Sequence, residues 1–351
     1  MICKECKCLS YSWVKDRPDE PWCIGVKHPF KIEDVNKECT EYFDGDQYAV
    51  PTWGNLECLS STYTPPTFTM LVGIPGAGKS EYAKNRVDRS RSIWLSSDAY
   101  REKLFGDANC QDNPHLVFAQ MHEHTIDLLN RGFDVVYDAT NITRKNRSAI
   151  LDKLPKHIKK NCVIVWAPID VCIERDKARE RTVGKEVIDK MLRRFEAPFY
   201  DEGFDNITVF VSDVHYNKAH YYAKTIADMN IPHDNPHHTL NVIEHCYECG
   251  KGLVGVAESL VVKAGFLHDI GKPYTKEFKN HKGEETETAH YYGHNGVGAW
   301  ISYGFSDHDI TLAWLISTHM APFINQKYYN SLPACYKNWI TVLHNSDRNA
   351  H

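Results

Sequence analysis

Phe68-Thr-Met-Leu-Val72-Gly73-Ile-Pro-Gly76-Ala77-Gly78-Lys79-Ser80 decides how this chain is read. An apolar run of strand character leads straight into GxxxxGK[ST]. Each residue type in that motif has a physical job. Gly73, Gly76 and Gly78 let the backbone turn tightly, so that its N–H groups, Ala77 included, can point at phosphate oxygens. A helix beginning near Lys79 adds the positive end of its dipole. Lys79 is placed to reach the β- and γ-phosphates of ATP or another nucleoside triphosphate, and the Ser80 hydroxyl suits Mg2+. A chance glycine-rich turn can produce the same string. The strand before it and the helix-like Glu81-Tyr-Ala-Lys-Asn-Arg86 after it supply the context that a phosphate-binding loop requires.

Outward from the loop, residues 64–213 alternate between strand and helix patterns. Strands are expected at Thr67–Gly73, Ser92–Ser96, Phe133–Asp138, Cys162–Ala167 and Ile207–Val211, with helices between them such as Leu116–Arg131 and Ile169–Arg181. That rhythm predicts an α/β domain, a parallel sheet covered by helices on both faces, with the loop at the carboxyl edge where such sheets bind ligands.

Several residues of this segment suit phosphoryl transfer. Asp98 follows a strand and is placed to orient an acceptor hydroxyl and take its proton as general base. Arg101, one turn on, can clamp an acceptor phosphate. Asp138 ends the next strand and suits Mg2+ through water, with Asn141 three residues later on the acceptor side. Arg175 and Arg179, four apart, are expected on one helical face, where they can close over donor phosphates. The plain alternatives are that Asp98 caps the helix beginning at Ala99 and that the arginines form a solvated face.

The run from Leu71 to about Phe204 resembles the polynucleotide 5′-kinase branch of the P-loop kinases, of the bacteriophage end-healing type. The resemblance lies in Gly73–Ser80, Ser97-Asp98-Ala-Tyr-Arg101, Asp138-Ala-Thr-Asn141-Ile-Thr-Arg144 and Arg175-Asp-Lys-Ala-Arg179 followed by Val187-Ile-Asp-Lys-Met191. It implies that Lys79 and Arg179 act on the donor phosphates, that Asp98 is the base, and that Arg101 touches the acceptor's 3′-phosphate. Asp176 departs from the Asn common in that family, in the lid that carries Arg179.

Residues 214–351 read as an all-α domain, with helices expected at Val242–Leu253, Val256–Phe266, Val297–Tyr303, Ile310–His319 and Tyr336–His344. Fourteen of the 19 histidines fall here. His268 and Asp269 adjoin within an apolar stretch, where burying both is costly without a cation or full pairing. With His245, Asp269-Ile-Gly-Lys272, His294, His319 and Asp347 they resemble the HD-domain phosphohydrolases. That resemblance implies one divalent transition metal (Mn, Fe, Co or Ni) on His245, His268, Asp269 and Asp347, and a second reached by His294 and His319. Two such metals can activate a water and stabilise the leaving oxygen of a phosphoester, and Lys272 would counter phosphate charge. His238 and His290 are candidates for an outer or substrate-facing role. Cys246 and Cys249 lie within a helical pattern, which favours buried thiols.

Residues 1–63 hold six of the 12 cysteines and little periodic apolar pattern. A segment this short needs a staple. A Zn2+ site on Cys3, Cys6, Cys23 and Cys39 would supply one; the alternative is an arm with incidental thiols. The formal charge of −5 argues against a broad basic surface for duplex binding, though not against a groove for a strand end. No apolar run approaches the roughly 18 residues of a membrane span, and the N-terminal residues lack signal-peptide character. The expected location is the cytoplasm, for a phage-encoded protein the bacterial cytoplasm.

Together the two resemblances imply nucleic-acid end healing, in which RNA or DNA ends gain a 5′-phosphate and lose a 3′-phosphate or 2′,3′-cyclic phosphate, ready for an RNA or DNA ligase. Two other functions fit the same residues. One is a nucleoside, nucleotide or modified-base kinase fused to a nucleotide phosphohydrolase. The other is a nucleic-acid-binding adaptor working through the cysteine-rich module.

Overall fold

In the computed structural model of this protein, the apolar run is strand β4 (Thr67–Val72), and Phe68, Met70, Leu71 and Val72 are fully buried. The structure describes residues 65–87, 91–236, 239–305 and 308–350, and the backbone of three short strands, β1 (Leu9–Tyr11), β2 (Pro21–Cys23) and β3 (Phe30–Lys31). These three pair antiparallel in the order β1-β2-β3. Cys3, Cys6 and Cys39 lie outside the described residues, and Cys23 is described by its backbone alone, so the expected zinc module falls outside them too.

Four further strands, β5 (Ser92–Ser96), β6 (Asp134–Asp138), β7 (Lys159–Trp166) and β8 (Asn206–Val211), join β4 in a parallel sheet of order β5-β6-β4-β7-β8. Helices α1 (Lys79–Arg86), α2 (Ser97–Phe105), α3 (Pro114–Asn130), α4 (Arg144–Leu151), α5 (Ile169–Lys177) and α6 (Lys185–Arg193) alternate with them, as the sequence pattern predicts. The interior strand β7, flanked by β4 and β8, buries every residue from Cys162 to Trp166, which is why it reads as an unbroken apolar run.

The described residues form two compact units. One has residues 65–69, 83–138 and 155–159; the other has 70–82, 139–154 and 160–350. In the first, Asn113 caps α3 through its side chain, which accepts from Leu116 N, and Pro114 starts the helix. Tyr100 on α2 and His124 on α3 pair there at 2.6 Å.

The second unit runs from the phosphate-binding loop to the C-terminal helices: α7 (Lys218–Asp228), α8 (Val242–Leu253), α9 (Ser259–Leu267), α10 (His294–Ser302), α11 (Ile310–Thr318), α12 (Ala321–Ile324), α13 (Gln326–Ser331) and α14 (Ala334–Asn349). The helical expectation holds for this region with one correction. Glu277–Lys279 and Glu285–His290 form an antiparallel hairpin, β9 and β10, in a stretch expected to lack strands. Its residues are mostly polar and exposed or half-buried, with only Ala289 fully buried, so no apolar face marked it in the sequence. Buried contacts knit the end of the sheet to the helices. Trp166 Nε1 donates to Trp300 O at 2.8 Å, and Trp300 Nε1 donates back to Ala167 O at 3.2 Å. Phe199 stacks on Trp314 at 4.3 Å between ring centroids. Among the described residues no helix is long and apolar enough to cross a membrane.

Candidate active sites

The histidines and aspartates of the helical region come from five helix ends. His245 lies in α8, whose start is fixed by a capping box between Asn241 and Glu244. His268 and Asp269 follow α9, His294 opens α10, His319 follows α11 and Asp347 lies near the end of α14. In each imidazole Nδ1 meets a backbone carbonyl: His245 to Ala350 O (2.8 Å), His268 to Gly265 O (2.9 Å), His294 to Tyr291 O (2.8 Å) and His319 to Ile316 O (2.7 Å). A carbonyl can only accept, so each Nδ1 carries the proton and each Nε2 turns a lone pair inward. Those Nε2 atoms converge: His245 and His268 lie 3.2 Å apart, as do His294 and His319.

Carboxylates fill the gaps between the rings. Asp347 Oδ1 lies 2.9 Å from His245 Nε2 and 3.2 Å from His268 Nε2. Asp269 stands between two groups of ligand atoms, His245, His268, Asp269 and Asp347 on one side and Asp269, His294 and His319 on the other. No donor is aligned for a hydrogen bond with its buried Oδ2, although the Lys272 ammonium lies 2.5 Å away. Lone pairs crowded this closely in a buried place repel unless a cation lies among them, and nitrogen with carboxylate oxygen is a donor set for a divalent transition metal. The residues therefore fit the metal expected of them.

The electrostatics point the same way. Burial would discharge His268, yet Asp269 and Asp347 hold its pKa well above the usual histidine value. Burial would likewise raise Asp347 and Asp269, but His268 and, for Asp269, Lys272 keep both carboxyls below the ordinary range. His319 is pushed down to about 3 by burial and by His294 and His268, and burial also lowers His294 against the pull of Asp269. The cluster's centre thus favours positive charge, which His268 meets with a proton on Nε2 and which a metal ion would meet in that proton's place, while the outer pair stays neutral.

At the other site the loop after β4 closes on itself. Gly73 N donates to Thr140 O, and Lys79 Nζ to Ile74 O at 3.0 Å, which folds the ammonium over the loop. Glycine is required at 73 and 76: a Cβ there would stand 2.7 Å from Val165 O and 2.1 Å from Cys172 O. Asn141, at φ 49° and buried, donates its amide to Leu71 O at 2.7 Å and so braces the loop from below. Arg175 lies near Gly78 and is tied to Ser212, through Oγ at 2.8 Å and O at 3.2 Å. In the first unit Ser96 takes the N-cap position of α2, and exposed Asp98 in the first turn pairs with Arg101 at 2.9 Å. Buried Asp138 accepts from Trp94 Nε1 at 3.2 Å.

Comparison with known proteins finds a match for each of the two regions. Residues 68–198 match a family model described as an AAA domain, and residues 237–341 match one described as an HD domain. The chain joins a P-loop kinase domain to an HD domain. Transcription factor bHLH140 of Arabidopsis thaliana is 28% identical over 159 residues, which are 43% of this chain and 16% of the plant protein. Two chains of the Pnkp1/Rnl/Hen1 RNA repair complex are similar. One is 22% identical over 38% of this chain and 44% of its own, with a TM-score of 0.34; the other is 20% identical over 45% and 50%, with a TM-score of 0.32. A gluconokinase from Sinorhizobium meliloti 1021 is 16% identical over 43% of this chain and 86% of its own, with a TM-score of 0.30. The chain thus spans half or less of the plant and repair-complex chains it matches. A P-loop kinase domain implies a nucleotide with Mg2+, and an HD domain implies a divalent metal.

One expectation for the kinase domain needs correction. The helix expected to reach Arg181 stops at Lys177, so Arg175 is helical while exposed Arg179 lies in the following turn, and the two share no helical face. Asp176 causes the stop. Its buried carboxylate accepts from Thr182 Oγ1 (2.7 Å), Val183 N and Gly184 N (2.9 Å), which pulls the chain back toward α6. Burial would raise its pKa, but these donors outweigh that and hold it low.

Two residues escaped the sequence reading. His233 is buried, donates from Nδ1 to Leu240 O, and offers Nε2 to Lys272 Nζ at 3.1 Å, so Lys272 is held between it and Asp269. Burial and Lys272 lower its pKa to about 4. Arg147 is fully buried in the kinase domain and forks onto Glu202 with two contacts of 2.7 Å. No local motif marks either, because each partner is distant in sequence. His238 lies outside the described residues, His290 stacks on Tyr292, and Cys246 and Cys249 are buried.

Proposed function

We propose that this enzyme heals nucleic-acid ends. Its kinase domain phosphorylates 5′-hydroxyls with ATP, and its HD domain removes 3′-phosphate or 2′,3′-cyclic phosphate, so that the products suit an RNA or DNA ligase. The observation that carries the reading is the cluster of four imidazoles tethered by Nδ1, with Nε2 atoms and two carboxylates converging, in a chain that also holds a complete phosphate-binding loop.

In the kinase domain, the loop N–H groups and Lys79 hold the donor phosphates, with Arg175 and Arg179 adding charge. Asp98 orients the acceptor hydroxyl and takes its proton, Arg101 binds an acceptor phosphate, and Ser80 and Asp138 would hold Mg2+. In the HD domain, His245, His268, Asp269 and Asp347 would hold one divalent metal and His294 and His319 a second. Bound there, such ions supply an activated water and charge for the leaving oxygen. Lys272 faces Asp269 and lowers the local negative charge that an incoming phosphate meets.

Two assays test this. Phosphate transfer from γ-labelled ATP is compared between 5′-OH oligonucleotides and free nucleosides. Phosphate release, with Mn2+ or Ni2+ supplied, is compared between 3′-phosphate or 2′,3′-cyclic oligonucleotides and free nucleotides. End healing predicts that strand ends win in both. Fast turnover of nucleosides and nucleotides with strand ends untouched would replace it with nucleotide metabolism.

A further inference from the structure

We propose that residues 193–197, the strap leaving helix α6, position the His294/His319 half of the metal cluster, so that nucleotide at the phosphate-binding loop and metal at that half bias one another. This rests on the metal reading of the cluster given above.

The contacts are selective. Arg193 Nη1 donates to Tyr292 O at 3.1 Å, and its two Nη atoms face the two Glu277 oxygens at 3.3 Å each. Gly293, at φ 74°, would place a Cβ 2.5 Å from Arg193 O, and Gly296 would place one 2.7 Å from both Leu192 O and Phe195 O. The strap backbone therefore lies directly on the turn that carries His294. At its far end Ala197 N donates to Ser317 Oγ at 3.2 Å, two residues before His319, and Asn295 Nδ2 donates to Ser317 O at 2.8 Å. Both histidines of the outer pair thus sit on turns that the strap braces. His245 and His268 instead lean on Ala350 O and Gly265 O.

The other end of this path reaches the nucleotide site. Arg175 borders Gly78 of the loop, and the adjacent Asp176 accepts from the N–H of Gly184, the N-cap residue of α6. α6 ends at Arg193. Any shift of the Arg175–Gly184 turn on nucleotide binding is carried along one short helix to the His294 turn. Packed elements of this kind pass such shifts on as rigid bodies, and the coupling is reciprocal.

The test counts Mn2+ bound to the metal-stripped full chain by the resonance of free Mn2+, with and without saturating MgADP. Wild type should show two binding classes, one of them absent in His319→Ala. Arg193→Ala should weaken that class about ten- to hundredfold, the usual effect of removing an outer support, and leave the other unchanged. Arg193→Lys keeps a charge opposite Glu277 and should recover most of the loss. Gly296→Ala, which pushes the strap away with Arg193 intact, should reproduce it. MgADP should shift the same class about fivefold or more, and Mn2+ should shift MgADP affinity by the same factor; in Lys79→Ala both shifts should vanish. Fewer than two classes in wild type sinks the two-metal reading and this proposal with it. Two classes indifferent to Arg193→Ala and MgADP sink the proposal alone. A response to Arg193→Ala without one to MgADP overturns it too, leaving the strap a static brace.

Discussion

At the scale of single residues, His268 and Lys79 separate the two sites. His268→Ala should erase phosphate release while phosphorylation continues, because it removes a donor from the centre of the cluster. Lys79→Ala and Asp98→Ala should each abolish phosphorylation and spare phosphate release, since transition-state charge and nucleophile orientation are worth several kcal/mol in such sites. Assaying both reactions in all three variants checks the assignment, and kinase activity within a few-fold of wild type in Asp98→Ala takes Asp98 out of the base role. The loop was readable because residue type and spacing alone define it, and the quartet because its residues resemble those of a known family. His233 was not, since its significance lies in Lys272, 39 residues on, which only the fold delivers. Arg147 was hidden for the same reason: its ion pair with Glu202 spans 55 residues.

At the scale of elements, helix α5 ended early because one buried carboxylate outcompeted the helical pattern for the N–H groups of 183 and 184. Periodicity cannot foresee a side chain that caps backward across eight residues. The strands of the parallel sheet were legible from apolar runs, whereas the hairpin of β9 and β10, with only Ala289 fully buried, had no apolar face to betray it. Between α2 and α3, the Tyr100–His124 pair makes a pH prediction. Burial lowers His124 from 6.5 to about 4, with Asp127 opposing. Between those values the unfolded chain takes up a proton that the folded chain refuses, so stability is complete above about pH 6.5 and falls as pH drops toward 4. Urea midpoints measured from pH 7 to 4.5 should fall less steeply in His124→Phe than in wild type. Equal slopes would show that His124 titrates normally in the fold.

Across the whole molecule, the buried exchange between Trp166 and Trp300 makes the sheet's edge and the helices share one interior. Trp300→Phe removes the donor to Ala167 O and should cost about 1–3 kcal/mol, the range for a buried acceptor left without its partner. Both activities should then fail at the same lower temperature in heat-inactivation curves; separate failure temperatures would mean that the two halves melt independently. The two sites were legible separately, but this joint was not, because a tryptophan pattern does not say which tryptophan it will meet.

The Trp166–Trp300 joint also bears on inheritance. Genomes trade protein modules by recombination, and a crossover between codons 167 and 299 would give each indole a stranger for a partner. Only exchanges that carry both tryptophans, or neither, leave a descendant with a sound interior. The two domains are therefore expected to travel together through a lineage and to be made in equal number wherever the chain is made.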